Sequence, residues 1–232
     1  MLKVVTWNIR HGYDIEQAID ELETNVRLRG ADALFLQEMD REGTAAVAEA
    51  LRLHHAYAAA GVHYRTDRDF GNAVLSPWPL VDREVIELPH KAVIRGQHRL
   101  AVKAIARIGN SEITLCTTHT EIPSLGRRKR DDQVAALCRA ADQWPTELAV
   151  IGGDFNTISA RGVRSLATRF KTHGFDHVST DAISTLRRVG RNFTLDHVFA
   201  RGLQSIESGV ARGVNTSDHD PVWVELIGPE ST

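Results

Sequence analysis

Polar residues follow four apolar runs of the sequence, at the point where each run stops. Val4–Trp7 stops at Asn8, Leu34–Leu36 at Gln37 and Glu38, Ile113–Cys116 leads to His119, and Ala149–Ile151 leads to Asp154 and Asn156. Carboxylate, amide and imidazole groups can bind a metal ion or a phosphate group. Because ligands bind at the ends of strands in open α/β architectures, these side chains predict one shared site.

The segment around Asp154 is suited to presenting side chains to a ligand. Asp154 and Asn156 lie two residues apart, so they point to the same face of an extended chain. The preceding Gly152 and Gly153 allow a close backbone approach. Further along, Asp196 lies inside an apolar run, where a carboxylate without a partner would be costly. A histidine imidazole is the most useful partner that the chain offers.

Four acidic side chains are candidates for the shared site, namely Glu38, Asp154, Asp196 and Asp218. If they converge, their charges must be offset by protonation, by a cationic side chain or by a bound cation. Oxygen-rich groups suit Mg²⁺, which takes only one or two protein carboxylates. We therefore expect Glu38 to bind the metal directly, with Asn8 and Asp218 nearby or bridged by water. Zinc is less favoured, because His119 and His219 supply only two imidazoles and no thiolate is placed to help.

The elements that must position these side chains can be read from apolar periodicity. Short runs rich in Val, Ile and Leu predict strands: Lys3–Trp7, Ala33–Leu36, Ala73–Leu75, Leu100–Ile108, Ile113–Cys116, Leu148–Ile151, Leu195–Phe199 and Pro221–Leu226. Apolar residues at helical spacing predict helices: Ile15–Leu28, Thr44–Leu53, Gln133–Trp144 and, more weakly, Arg161–Phe170.

The middle of the chain, from Tyr57 to Thr118, contains strand after strand and no helical pattern. This stretch favours hairpins in an antiparallel or mixed sheet. Stretches that alternate strands with helices lie on both sides of it, which favours two packed sheets with helices outside. The sequence has no internal repeat and no linker, so we predict one domain over residues 1–232.

The basic run Arg127–Arg130 is predicted to be a solvated loop. Cations at the start of a helix oppose its dipole by about 0.3–1 kcal/mol each, so we expect Asp131 and Asp132 to form the first helical turn. The alternative is that the run holds a phosphate group of a substrate.

The composition bounds the class of protein. The chain has 232 residues, of which 42% are apolar and 25% charged, which is typical of a globular protein. Its formal charge of −2 excludes a strongly basic coat for nucleic acid, so any binding of phosphate is local.

Two cysteines without disulfide or zinc spacing fit a reducing compartment. With no signal-peptide core and no apolar run near about 18 residues, we expect a cytoplasmic protein without a membrane span. We predict no protein partner.

Seven segments together resemble the endonuclease/exonuclease/phosphatase superfamily, in that family's order and over nearly the whole chain. They are Thr6–Arg10, Leu36–Glu38, Gly71–Ser76, Thr118-His119, Gly153–Asn156, Leu195–His197 and Ser217–Pro221. The resemblance implies a four-layered α/β sandwich, with two packed mixed β-sheets flanked by helices. It also implies a divalent-metal-dependent phosphoester hydrolase.

The resemblance assigns expected roles to the metal side of the site. Glu38 resembles the family's metal-binding glutamate, and Asp218 stands where the family has a second acid beside the metal. Asn8 and Asn156 resemble asparagines that contact the metal or the scissile phosphate, and we expect Asn8 at the metal and Asn156 at the phosphate.

The catalytic side follows in the same way. Asp154 resembles the aspartate that orients or deprotonates the attacking water, and His219 the closing histidine, held by Asp196. His119 resembles a second histidine found in the deoxyribonuclease, sphingomyelinase, deadenylase and inositol 5-phosphatase branches. Abasic-site endonucleases usually lack it, which disfavours a role in base repair. The remaining histidines, His11 among them, are predicted to lie on the surface or to pack in the core.

The sequence thus favours a phosphodiesterase that uses Mg²⁺, with Mn²⁺ able to substitute, and cleaves nucleic acid by in-line attack of water. The alternatives are a phosphatase or phosphodiesterase acting on phospholipid or inositol phosphate, and a catalytically silent binding module. No amphipathic membrane hairpin supports the lipid substrate. Candidates at every catalytic position disfavour the silent module, and an aromatic content of 6% disfavours strong duplex binding.

Overall fold

The computed structural model describes residues 1–63, 66–90, 98–109, 111–179, 183–188 and 191–228. The strands within these ranges are β1 (Leu2–Asn8), β2 (Ala33–Met39), β3 (His54–Val62), β4 (Asp69–Ser76), β5 (Leu80–Glu87), β6 (Leu100–Ile108), β7 (Ser111–His119), β8 (Leu148–Asp154), β9 (Asp176–His177), β10 (Leu186–Arg188), β11 (Arg191–Phe193), β12 (Asp196–Arg201), β13 (Gln204–Val210) and β14 (Val222–Ile227). The α-helices are α1 (Ile15–Thr24), α2 (Arg41–Ala50), α3 (Arg127–Ala141) and α4 (Ala160–Thr172).

In the described ranges the strands form two six-stranded sheets and a short β10–β11 hairpin. The first sheet has the order β13-β14-β1-β2-β4-β3, and the second has the order β5-β6-β7-β8-β12-β9. Both sheets are mixed, because β1 and β2 pair in parallel, as do β7 and β8, while the other neighbours are antiparallel. Strands β3 to β7 follow one another without a helix, as the middle of the sequence predicts.

The two sheets pack face to face through an apolar core that includes Phe35 and Leu115. The outer face of the first sheet is covered by α1 and α2, where Leu22 packs in one cluster with Trp7. The outer face of the second sheet is covered by α3 and α4, where Phe170 stacks on Phe199. Burying each such side chain contributes about 1.5–3 kcal/mol. The predicted four-layered α/β sandwich is confirmed.

The two parallel pairs bring the polar strand ends to one edge of the sandwich. Asn8 is the register partner of Gln37, and His119 is the register partner of Asp154. Strand β12 runs antiparallel to β8, so its first residue, Asp196, lies opposite Asp154. The strand ends of both sheets therefore open onto one region.

A buried polar bridge joins the two sheets beneath this edge. The Gln37 side chain is fully buried, and its Nε2 donates to Thr6 Oγ1 of its own sheet and to Thr117 Oγ1 of the other sheet, at 3.1 and 2.9 Å. Leaving a buried amide donor without a partner would cost about 1–3 kcal/mol. Trp7 Nε1 donates to the carbonyl oxygen of His219 at 2.9 Å, which attaches the loop before β14 to β1.

The predicted helix boundaries differ from the structure most at the end of α1 and at the start of α3. Helix α1 ends at Thr24 rather than Leu28, because Asn25 takes an extended conformation while its N–H still donates to Glu21 O. Helix α3 begins at Arg127, so the basic run forms its first turn and is not a loop. The Arg127 Nε lies 3.3 Å from Asp131 Oδ2, one turn further along, and this ion pair offsets part of the unfavourable charge at the helix start.

Strands β3, β5 and β13 have weak apolar patterns, so they are not among the strands whose bounds the sequence predicts. In β5 most side chains are exposed or half-buried, because the strand lies at an edge of the second sheet. Among the described residues, none of the helices combines the length and apolar character needed to span a membrane.

Candidate active site

One cavity of about 470 Å³ opens at the edge where β1, β2, β7 and β8 end. Seven of the eight side chains expected at the site line it, namely Asn8, Glu38, His119, Asp154, Asn156, Asp218 and His219. The eighth, Asp196, is fully buried and lies behind His219. The folded chain thus brings together residues that are spread from one end of the sequence to the other.

His219 and Asp196 form a buried pair. His219 Nδ1 lies 2.8 Å from Asp196 Oδ2, and His219 Nε2 lies 3.9 Å from Asp154 Oδ2. Burial by itself lowers the pKa of His219, but the charge and hydrogen bond of Asp196, with the charges of Asp154 and Asp218, raise it to about 10. His219 is therefore an imidazolium at neutral pH, with Nδ1–H donating to Asp196.

Asp154 is a buried carboxyl whose proton affinity lies near neutrality. Its Oδ1 accepts from the Asn156 N–H at 2.8 Å, and its Oδ2 accepts from Asn8 Nδ2 at 3.1 Å. Burial and the charge of Asp196 raise the pKa of Asp154 to about 7, although His219 and these hydrogen bonds act in the opposite direction. A carboxyl that gains and loses its proton near pH 7 is suited to general acid–base chemistry.

Glu38 has a strained backbone next to the same cavity. Its φ is +58°, and Asn156, across the site, has a φ of +50°. A residue other than glycine in this region costs about 1–3 kcal/mol, and such strain clusters at functional sites. Glu38 Oε1 accepts from Asn8 Nδ2 at 3.2 Å, so a single amide group contacts the carboxylates of Glu38 and Asp154.

His119 lies between these two carboxylates. Its Nε2 is 3.6 Å from Asp154 Oδ2 and its Nδ1 is 3.9 Å from Glu38 Oε1. Burial, together with the positive charges of Arg99, His219 and His11, holds the pKa of His119 well below 6.5. The ring is therefore neutral, and its Nδ1 has no hydrogen-bond partner among the described residues. A neutral imidazole at this place has capacity left to bond a substrate.

His11 is a half-buried residue whose ring packs on another ring, in line with its prediction as a surface or packing residue, and it also lies beside Glu38. Its Nδ1 lies 3.1 Å from Glu38 Oε2, and its ring stacks on His63 with centroids 3.8 Å apart. The reason is local, because Arg10, His11 and Gly12 all take positive φ and turn the chain back over Glu38. The position of His11, three residues after Asn8, is the signal that could have found it.

The donor set at the cavity fits a hard divalent cation. Glu38 and Asp218 supply carboxylate oxygens and Asn8 an amide oxygen, and all three side chains line the cavity. Ligand atoms of Asp154, Asp196 and His219 also lie within 4.8 Å of one another. In that second group, Asp196 Oδ2 already accepts from His219 Nδ1, so the Glu38 side is better suited to a metal.

Comparison with known proteins places this arrangement in a family. The sequence model described as the Endonuclease/Exonuclease/phosphatase family matches residues 5–219. A UPF0294 protein of Vibrio vulnificus (strain YJ016) is 30% identical over 104 residues, which are 45% of this chain but only 36% of that relative's length. The match therefore spans about a third of the relative.

Solved structures share the fold. An endonuclease/exonuclease/phosphatase from Beutenbergia cavernae DSM 12333 superposes with a TM-score of 0.80 at 18% identity, covering 98% of this chain and 71% of that one. The mannosyl-6-phosphatase Bt3783 of Bacteroides thetaiotaomicron VPI-5482 gives 0.73 at 18% identity, covering 98% of this chain and all of that one. With the family match over most of its length, this chain belongs to the endonuclease/exonuclease/phosphatase family of phosphoester hydrolases.

Proposed function

We propose that this chain is a phosphodiesterase that hydrolyses nucleic acid with the help of a divalent cation, Mg²⁺ by preference and Mn²⁺ as a substitute. One observation carries the proposal. The cavity contains the imidazolium of His219, which the buried carboxylate of Asp196 holds, and the carboxyl of Asp154, whose pKa is near neutral. The same cavity contains the oxygen ligands of Glu38 and Asn8.

Glu38 is the direct ligand for the cation in this proposal, with Asn8 and Asp218 beside it. When bound, the cation neutralises charge on a non-bridging oxygen of the phosphate. His11 Nδ1 lies 3.1 Å from the other oxygen of Glu38, and we assign it the role of orienting the carboxylate.

The proton transfers are assigned to the chain's own residues. Asp154, once ionised, accepts a proton from water as the water oxygen forms its bond to phosphorus in line with the leaving oxygen. As the bond from phosphorus to the leaving oxygen breaks, His219 donates the proton on Nε2 to that oxygen.

Two further side chains bind the phosphate in this proposal. Asn156 Nδ2 donates one hydrogen to Thr120 O at 3.1 Å and keeps a second hydrogen for a phosphate oxygen. His119, as a neutral imidazole, donates a ring N–H to another phosphate oxygen and stabilises the charge that develops during the reaction.

The wall of the cavity supports a nucleotide next to the scissile bond. Phe193, Ile122 and Leu186 line the cavity beside the polar groups. An aromatic ring close to a phosphate-binding site allows a nucleobase to stack, with a gain of about 1–3 kcal/mol per base.

The second candidate is a phosphatase or phosphodiesterase acting on a small or lipid phosphoester. One neighbour in the fold, from Bacteroides thetaiotaomicron, is named a mannosyl-6-phosphatase and superposes with a TM-score of 0.73, which favours this candidate. We also propose a cytoplasmic location, since both cysteines of the chain, Cys116 and Cys138, are free thiols.

A panel of substrates tests the proposal. Single-stranded DNA, RNA, plasmid DNA, bis-p-nitrophenyl phosphate, sphingomyelin and inositol phosphates are incubated with Mg²⁺, with Mn²⁺ or with a chelator. We expect the nucleic acids and the model diester to be hydrolysed, and the chelator to stop the reaction. Hydrolysis of the lipid or inositol phosphates alone would favour the second candidate, and turnover of no substrate would favour a silent binding module.

A further inference from the structure

A second, smaller cavity lies between the first two turns of α3 and one side of α4, along which its lining runs from Ser159 at the start of the helix to Arg169 in the last turn. Its volume is about 50 Å³, and its lining includes Arg127, Arg130 and Arg169 together with Ser159 and Ser165. Among the described residues that line it, Asp131 is the single acid, so three cationic side chains face one anionic side chain. The basic run Arg127–Arg130, which the sequence predicts to be a loop, thus forms one wall of this cavity, which we call the groove.

The positive charge of this groove is not neutralised within the described part of the chain. Arg127 pairs with Asp131, but Arg130 Nη1 donates only to the neutral Ile122 O at 3.2 Å, and Arg169 has no ion pair there. Neither α3 nor α4 has an acidic residue in its first turn. The arginines and the positive ends of two helix dipoles therefore act in the same direction, and a bound anion would relieve their repulsion.

The groove continues from the catalytic cavity. Ile158 lines both cavities, and it lies only two residues after Asn156, the expected phosphate-binding residue. Two extended residues span at most about 7 Å, so the two cavities are neighbours along one surface. A ligand with its scissile phosphate at Asn156 extends naturally toward the arginines.

We propose that the groove binds a phosphate group adjacent to the scissile one in a strand of single-stranded nucleic acid. The substrate class rests on the proposed function, but the anion site rests on the groove alone. Guanidinium groups present paired N–H donors that match phosphate oxygens, and they stay charged at all relevant pH values. A groove of this volume admits one phosphate group at a time. A small monoester has no phosphate besides the scissile one, so it would leave the groove unused.

Binding without turnover tests the groove independently of catalysis. The Kd of a fluorescent oligothymidylate is measured by anisotropy in chelator, for the wild type, for Arg127→Gln with Arg169→Gln, and for Arg127→Gln alone. Arg139→Gln is the matched control, because Arg139 is exposed on α3 and does not line the groove. We expect Kd to rise about tenfold in the double variant, and the slope of log K against log salt to fall by about 0.7 for each phosphate that the variant no longer binds. The control should stay within about twofold of the wild type.

The second arm uses a substrate with one phosphate. The rate on bis-p-nitrophenyl phosphate with Mg²⁺ should be unchanged in the arginine variants, because this diester cannot reach the groove. The proposed anion site would be overturned by any of three results. These are an unchanged oligonucleotide Kd in the arginine variants, an equal loss of affinity in the Arg139→Gln control, or an equal loss of rate on the single-phosphate diester. Groove-dependent binding with no hydrolysis of any nucleic acid would instead overturn the proposed function and leave the groove standing. The Arg127→Gln variant decides the matter if the double variant unfolds, which thermal melting shows.

Discussion

Asp196 and Asp154 lie directly opposite each other in neighbouring antiparallel strands, both buried. Like charges at such a position destabilise a sheet. Here the positive charge of His219 compensates them, because its Nδ1 lies 2.8 Å from Asp196 Oδ2 and its Nε2 lies 3.9 Å from Asp154 Oδ2. Two carboxylates thus share one imidazolium, and their protonation is coupled. This relationship sets the pH dependence expected of the reaction.

The pH profile of kcat/KM should be bell-shaped. On the acidic side, activity should rise through about pH 7, because Asp154 must lose the proton that its raised pKa retains. On the alkaline side, activity should fall through about pH 10, where His219 loses its proton. The measurement is kcat/KM on bis-p-nitrophenyl phosphate from pH 5 to 11. A profile flat between pH 5 and 9 would contradict the role of Asp154.

Asp196→Asn should move the alkaline limb of that bell to lower pH. The substitution removes the charge that holds the His219 proton, so the pKa of His219 falls from about 10 toward or below its usual 6.5. At pH 8 the loss of the cationic imidazole should reduce kcat by about 10²–10⁴-fold. Asp142→Asn is a control, since Asp142 is exposed and pairs with His173 outside the cavity. An unmoved alkaline limb would remove Asp196 from the mechanism.

Glu38→Gln should abolish the metal-dependent reaction while the fold survives. The amide keeps the size of the side chain but loses the charge that attracts the cation, so we expect a loss of at least about 10²-fold in kcat/KM at fixed Mg²⁺. Circular dichroism and thermal melting should match the wild type. Glu49→Gln, on the exposed face of α2, should have wild-type activity. Full activity of Glu38→Gln would reject the assigned metal site.

His11→Ala should raise the Mg²⁺ concentration that gives half the maximal rate, by about 10–100-fold. His11 Nδ1 lies 3.1 Å from Glu38 Oε2, so it orients the carboxylate without facing phosphorus. At saturating Mg²⁺ the rate should recover most of its wild-type value. If kcat at saturating metal stays low, His11 takes part in the chemical step instead.

Gly153→Ala should unfold the edge that carries Asp154. A Cβ at this residue would lie 1.9 Å from the Thr118 carbonyl oxygen, on the parallel neighbour strand, and the φ of +155° adds strain. We expect a loss of more than about 3 kcal/mol in the free energy of unfolding, measured with urea. Gly228→Ala, with open space around its Cβ, should change stability by less than about 0.5 kcal/mol. Equal stability of the two variants would show that β8 can shift away from β7.

The sequence determined the features that depend on the local chain. Four strands and the polar residues at their ends were predicted from apolar runs, which stop at Asn8, Glu38, His119 and Asp154. This was possible because the pattern of apolar and polar residue types along the chain indicates side-chain burial and strand length. The ordered motifs identified the family and, through it, the four-layered sandwich. The extent of the domain and the location in the cell stay predictions.

Tertiary structure decided what depends on distance and desolvation. Trp7 bonds the carbonyl of a residue 212 positions away, and the pKa of Asp154 comes from burial and from a neighbour on another strand, neither of which local sequence encodes. The same holds for His11, which a left-handed turn brings to Glu38, and for the basic run, which becomes one wall of a groove only when α4 packs beside it. Residue types determine which groups are available, but packing determines which of them meet and how tightly each holds its proton.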